Sequence, residues 1–290
     1  MIAASTPNFT LEAVFDSMTD LPVFPKVVHK ALEILDDPNK KIADVAEIIK
    51  FDQGLVANIL KLTNSAIFGL RQQVTDLDTA LALLGNQKIR ELLVTGAALP
   101  YLTRQLSGYE MSPEDLWLHS MGCAVISDVV SRRLGYPEGS TLFTAAILHD
   151  IGKIVLDMYV GPRLGEVLMV SKQRDSSFAE AEWTILGTDH AVAGSAILKN
   201  WDFPPDICRA VRNHHDPDLY IQDKLSALLA LSNIITIQLG FGVGTDGFRY
   251  RISPELLDAS GCSREDYYWC MENAVDAFYE AEDLLNIIMK

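Results

Sequence analysis

The stretch Val27-Val-His-Lys-Ala-Leu-Glu-Ile-Leu35 sets apolar side chains at Val27, Val28, Ala31, Leu32, Ile34 and Leu35. That is the three-and-four spacing of one face of an α-helix. The same spacing recurs along most of the chain, and alternation of period two is scarce, so the sequence predicts an all-α, multi-helix bundle. Helix-start signals agree with this. Thr75 with Asp78 and Ser263 with Asp266 have the spacing of capping boxes, and Ser112-Pro113 and Ser253-Pro254 place an N-cap before a proline at the first helical position. The expected helices are 11–19, 23–36, 42–50, 53–64, 76–84, 86–103, 113–134, 141–157, 162–173, 178–186, 190–200, 205–213, 223–239, 254–259 and 264–289. Phe248–Ile252 is the one segment with the character of a strand.

Two breaks divide the chain. The polar run Thr103–Ser112, with Gly108 inside it, separates an N-terminal helical subdomain (1–105) from a second unit (106–240). A glycine-rich run from Gly240 to Gly247 then precedes C-terminal helices (241–290) expected to pack on the same body. Hydrophobic residues make up 49% of the chain, enough for a sizeable core, and charged residues 22%. No apolar run of membrane-spanning length and no secretory signal is legible, so the expected home is the cytoplasm, without a membrane. Cys123, Cys208, Cys262 and Cys270 form no CxxC pair and read as buried thiols. A net charge of −15 argues against nucleic acid as the main partner, because phosphate contacts need clustered Lys and Arg.

Five of the six histidines form an ordered series: His119, His149 with Asp150 beside it, His190, then the doublet His214-His215. Imidazole and carboxylate are ligands of divalent transition metals, so the series reads as a metal site, intact or partly decayed, for iron, manganese or zinc. The helices must converge for this to work, as inward-facing ligands do in a helix bundle. His149 and Asp150 point about 100° apart on a regular helix and reach one centre only at a bend, which Gly152 makes feasible. Lys153, one turn on from both, would project toward anything bound there, and a phosphate oxygen would suit it. Asp115 reads as a partner of the Ser112 cap before it reads as a ligand. His29 reads as a surface residue, Trp117, Trp183 and Trp201 as packing, and Asn64-Ser65 as turn geometry.

His119, the run His149-Asp150-Ile151-Gly152-Lys153, His190 and His214-His215 resemble the ordered motif of the HD superfamily of metal-dependent phosphohydrolases. The first half resembles the HDOD (HD-related output) domains of bacterial signalling. The likeness there rests on Leu21-Pro-Val-Phe-Pro25, the Asp52 helix, Leu62-Thr-Asn-Ser65 with Phe68-Gly69, and Ala82-Leu-Leu-Gly85. Together they cover about Leu21 to Asp216. The resemblance implies an HD-domain-like fold, with His119, His149, Asp150, His190, His214 and His215 on the metal and Asp150 and Lys153 in any phosphoester chemistry. It also implies a signal-transduction module with no room for an input domain, working with signalling proteins in trans. The alternative it implies is an active phosphohydrolase on a nucleotide or other phosphoester. Where HD enzymes carry a closing aspartate, this chain has Asn233, a neutral and weaker ligand. Gly135-Tyr-Pro137 spells the letters of the HD-GYP enzymes but stands before His149 rather than after the doublet, and reads as a turn.

Overall fold

The computed structural model describes residues 23–65, 73–242, 244 and 250–288. Four helices come first: α1 (Lys26–Asp36), α2 (Ile42–Ile49), α3 (Gln53–Thr63) and α4 (Leu77–Leu102). Then follow α5 (Asp115–Leu134), α6 (Gly139–Leu148), α7 (Lys153–Val160), α8 (Leu164–Arg174), α9 (Phe178–Leu186), α10 (His190–Asn200), α11 (Pro205–Asn213), α12 (Pro217–Tyr220) and α13 (Lys224–Gln238). Last come α14 (Pro254–Ser260) and α15 (Arg264–Ile288). The described residues contain no strand, and Tyr250–Ile252 are irregular; the rest of the expected strand, like the expected helix 11–19, lies outside the described residues.

Local chemistry explains most boundaries. Asp52, Ser177, Asp189, Asp223 and Ser253 each accept a first-turn backbone N–H, which satisfies a donor that the helix itself cannot pair. The Ser263–Asp266 box forms as expected. Asp76, not Thr75, caps α4, its side chain accepting from Thr79 N. α4 carries the expected interruption at Gly85, whose φ of 72° is open to glycine and strained for other residues. Asn64 is a turn residue: its amide donates to Leu60 O and Val74 O and accepts from Val74 N, tying the end of α3 to the start of the α4 segment.

α5 is the central helix, packed against α6, α13 and α15, while α4 bridges α1–α3 to α6. One continuous apolar core runs from Phe24 to Ala274. The run Thr103–Ser112 is pinned down. Leu106 pairs with Met111, Tyr109 is buried, and Gly108 N–H donates to Asp157 Oδ1. His29 is not a free surface residue: it packs between Phe24 and Phe203 in an aromatic cluster that includes Trp201 and Tyr101. Trp117 and Trp201 are core residues as expected, whereas Trp183 is 51% exposed. All four cysteines are buried thiols. Contrary to the sequence expectation, one described stretch, Gly139–Arg174, is long and apolar enough to cross a membrane by length and composition alone, but it is divided among successive helices and is 83% buried in its most apolar window.

Candidate metal centre

The expected helix 141–157 is broken, and the break builds the centre. α6 stops at Leu148, residues 149–152 form a turn, and α7 starts at Lys153. A Cβ on Gly152 would lie 1.9 Å from His190 O and 2.5 Å from Gly194 N, so only glycine lets this turn sit against α10. The turn aims His149 and Asp150 inward. α5 supplies His119, the first residue of α10 supplies His190, and the chain leaving α11 supplies His214 and His215.

Asp150 is the hub. Its Oδ1 lies 3.3 Å from His190 Nε2 and 3.8 Å from His214 Nε2. Its Oδ2 lies 3.5 Å from His149 Nε2, 3.6 Å from His119 Nε2 and 2.6 Å from Lys153 Nζ. Ligand atoms of Asp150, His190, His214 and His215 gather within 4.8 Å of one another, and so do those of His119, His149 and Asp150. Lys153 is buried, not solvated. His215 is the half-buried member, stacked on Tyr250 with ring centroids 4.6 Å apart. Asp115 stays outside, accepting from Ser112 N.

Four of the five imidazoles, those of His119, His149, His190 and His214, are oriented through Nδ1. His149 Nδ1 meets Ala146 O at 2.7 Å, His214 Nδ1 meets Val211 O at 2.5 Å, and His119 Nδ1 meets Phe241 O at 3.0 Å. A proton on Nδ1 leaves the Nε2 lone pair aimed at the hub. The Phe241 carbonyl arrives on the Gly240–Gly242 turn, where both glycines have positive φ and a Cβ on Gly242 would fall 2.5 Å from His119 N. Gly240 and Gly242 are therefore part of the centre as well as a break after α13. His190 Nδ1 lies 2.6 Å from Glu182 Oε2, and Tyr109 OH donates to Glu182 Oε1 at 2.5 Å. Sequence reasoning missed Glu182, Tyr109 and the Phe241 carbonyl. Glu182 did leave a signal, since it occupies a core position between the buried Phe178 and Leu186 at four-residue spacing.

Nε2 of His149, His190 and His214 and Oδ1 of Asp150 are buried with no hydrogen-bond partner among the described residues. Leaving such atoms unsatisfied costs about 1–3 kcal/mol each, which a divalent cation bound among them would offset. Neutral imidazoles and a carboxylate are the donor set of iron, manganese and zinc, so the residues fit such a cation. The electrostatics agree for three of the rings and run the other way at His190, where a cation must displace a proton. Burial pushes His149 down to about 4, and burial with neighbouring imidazoles holds His214 and His215 well below the ordinary histidine range. Burial opposes ionisation of Asp150, yet His149, Lys153, His190 and His119 hold its carboxyl well below the usual range. Burial also opposes charge on His190, but Glu182 and Asp150 draw it up to about 9.

The HDOD domain model matches residues 21–217, more than half of the chain. The chain belongs to the HDOD domain family. Among solved structures, this HDOD fold is similar to an HDOD domain protein of unknown function from Geobacter sulfurreducens. The TM-score is 0.78 at 24% identity, covering 94% of this chain and 96% of that one. It is also similar to a protein from Shewanella amazonensis SB2B named as a candidate phosphohydrolase. There the TM-score is 0.67 at 22% identity, covering 94% of this chain and 98% of that one. At these identities the likeness is one of fold. An uncharacterized protein of Treponema pallidum (strain Nichols) is 22% identical over 205 residues, covering 70% of this chain; the HDOD chain matches only 39% of that protein's length.

Proposed function

We propose that this HDOD chain is a regulatory module of signal transduction, relaying its signal through contacts with partner proteins around a centre that binds a divalent transition cation. The observation that carries the metal half of the reading is the convergence of unpartnered, buried imidazole nitrogens on Asp150. The relay half rests on the family. A bound cation would be held by Asp150 and the surrounding imidazoles, and would supply Lewis-acid chemistry to a water or phosphoester oxygen. Glu182 fixes the ring of His190, and Lys153 balances the charge of Asp150.

The test is metal content by mass spectrometry on protein purified without a histidine tag, beside a His149→Ala, Asp150→Ala double variant. Metal in the parent that is lost from the variant is the expected result; none in either protein after reconstitution overturns the metal half. For the relay half, cross-linking in native lysate is expected to trap a protein partner whose capture changes when the cation is removed, and capture indifferent to the cation overturns it.

A second reading, an active phosphohydrolase, is favoured by one observation. Two clefts, of about 500 and 620 Å³, meet at His215 and open the edge of the centre to solvent. Tyr250 and Arg251 line one, Arg174 and Arg212 the other. Manganese- or iron-dependent phosphodiesterase turnover that the double variant lacks would establish it.

A further inference from the structure

Ligand atoms alone place two groups around Asp150: Asp150, His190, His214 and His215 on one side, and His119, His149 and Asp150 on the other. Their hydrogen bonds differ sharply. On the Oδ1 side, Asp150 Oδ1, His190 Nε2 and His214 Nε2 have no hydrogen-bond partner among the described residues. On the Oδ2 side His149 Nε2 is likewise without a hydrogen-bond partner among the described residues, but Oδ2 itself accepts from the Lys153 ammonium at 2.6 Å, and His119 Nε2 is 3.0 Å from Oδ1 of the Asn233 amide.

The residue type at 233 matters chemically. His119 Nδ1 donates to the Phe241 carbonyl, which leaves Nε2 as a lone pair. An amide can present its NH2 group to that lone pair and donate, since exchanging its oxygen and nitrogen leaves its outline unchanged. A carboxylate has no hydrogen to give and would leave the lone pair for a cation while adding a negative charge. Lys153 acts in the same sense. Its Nζ is buried against the oxygen that a cation on this side would use, and two positive charges at that separation in a buried site repel strongly.

We infer that Asn233 and Lys153 close the Oδ2 side of the centre, so that this chain binds a single cation, on the Oδ1 side with His190 and His214. The inference rests on the metal reading above and adds its stoichiometry and location. It makes Asn233 and Lys153 determinants of how many metals the fold accepts.

The test titrates chelator-treated full-length protein with Mn2+ by calorimetry and follows electron paramagnetic resonance of the loaded samples, with circular dichroism as the fold control. The parent is expected to take one equivalent and give an uncoupled Mn2+ signal, and His190→Ala to lose it. Asn233→Asp, and separately Lys153→Met, are expected to gain affinity for a second equivalent, and the double variant to show the exchange-coupled signature of a Mn2+ pair. Two equivalents in the parent would overturn the inference and leave the metal reading standing. So would a well-folded double variant that still takes one. No binding by the parent sinks both.

Discussion

The helices before Thr103 and those from α5 to α13 share one apolar core but bury polar groups in different ways. In the first region the buried polar side chains are few and mostly paired close by. Thr63 donates to Ile59 O, Ser65 to Leu62 O, and Glu91 accepts from Lys88 one turn away. In the second, His119, His149, Asp150, Lys153, Glu182, His190, His214 and Asn233 are all buried, and several are satisfied only across long sequence distances. Burying ionisable groups costs stability unless they are paired. The first region is thus a scaffold held by packing, and the second carries a polar centre that folding alone does not account for.

The largest effect expected from breaking this contrast comes at the hub. Asp150→Ala leaves the Lys153 ammonium buried without its carboxylate and should cost about 3–5 kcal/mol in chelated protein, measured by urea unfolding. Adding Lys153→Met should recover most of that loss. If the double variant is no more stable than the single, the buried Lys153 ammonium is not what makes the loss of Asp150 costly. Leu62→Ala in the scaffold should cost about 2–5 kcal/mol through a cavity, with no such rescue.

Next comes pH. His149, His214 and His215 are held below the unfolded value near 6.5, so below that pH the unfolded chain takes up protons that the folded one refuses. Their contribution to stability is present above about pH 6.5 and lost as pH falls toward 4, at most about 1.4 kcal/mol per pH unit for each group. His190 has the opposite sign. Its folded value of about 9 gives stability that is full below 6.5 and lost as pH rises through 9. The melting temperature of chelated protein should therefore climb from pH 4.5 to 6.5 and decline toward 9, and a flat profile across the acidic limb would contradict the burial of these rings.

Glu182→Gln should weaken metal affinity about 10- to 100-fold in a competition assay, because the ring of His190 loses its carboxylate. Tyr109→Phe, one bond further out, should do less. Smallest is Asp76→Ala in the scaffold, which removes the cap of α4 for about 0.5–2 kcal/mol and should leave metal content unchanged.

Much of the fold was legible because it is written locally. α9, α10 and α11 fall at the expected limits, where Ser177, Asp189 and Pro204-Pro205 punctuate the chain. The break at 149–152 was less legible. Its apolar periodicity continues through Ile151, and only the close approach of α10 to Gly152 stops the helix. The histidine series announced its own chemistry, and the structure brings all of its members around Asp150. Its supports did not. Tyr109 sits in a polar run with no periodicity, and Phe241 contributes a backbone carbonyl that no side-chain pattern encodes. Trp183 misled because its immediate neighbours, Glu182 and Thr184, are polar and do not say which way the ring faces.

Gly152 meets the His190 carbonyl backbone to backbone, which ties the turn to a helix distant in sequence. His149 and Asp150 leave the ribosome well before His190 and the doublet, and no short fragment unites them. In the folded chain the inward pose of the turn is held directly against α10. A cation bound between Asp150 and His190 would therefore bridge elements distant in sequence, and its release on unfolding would report the parting of α10 from the turn rather than the fraying of any single helix.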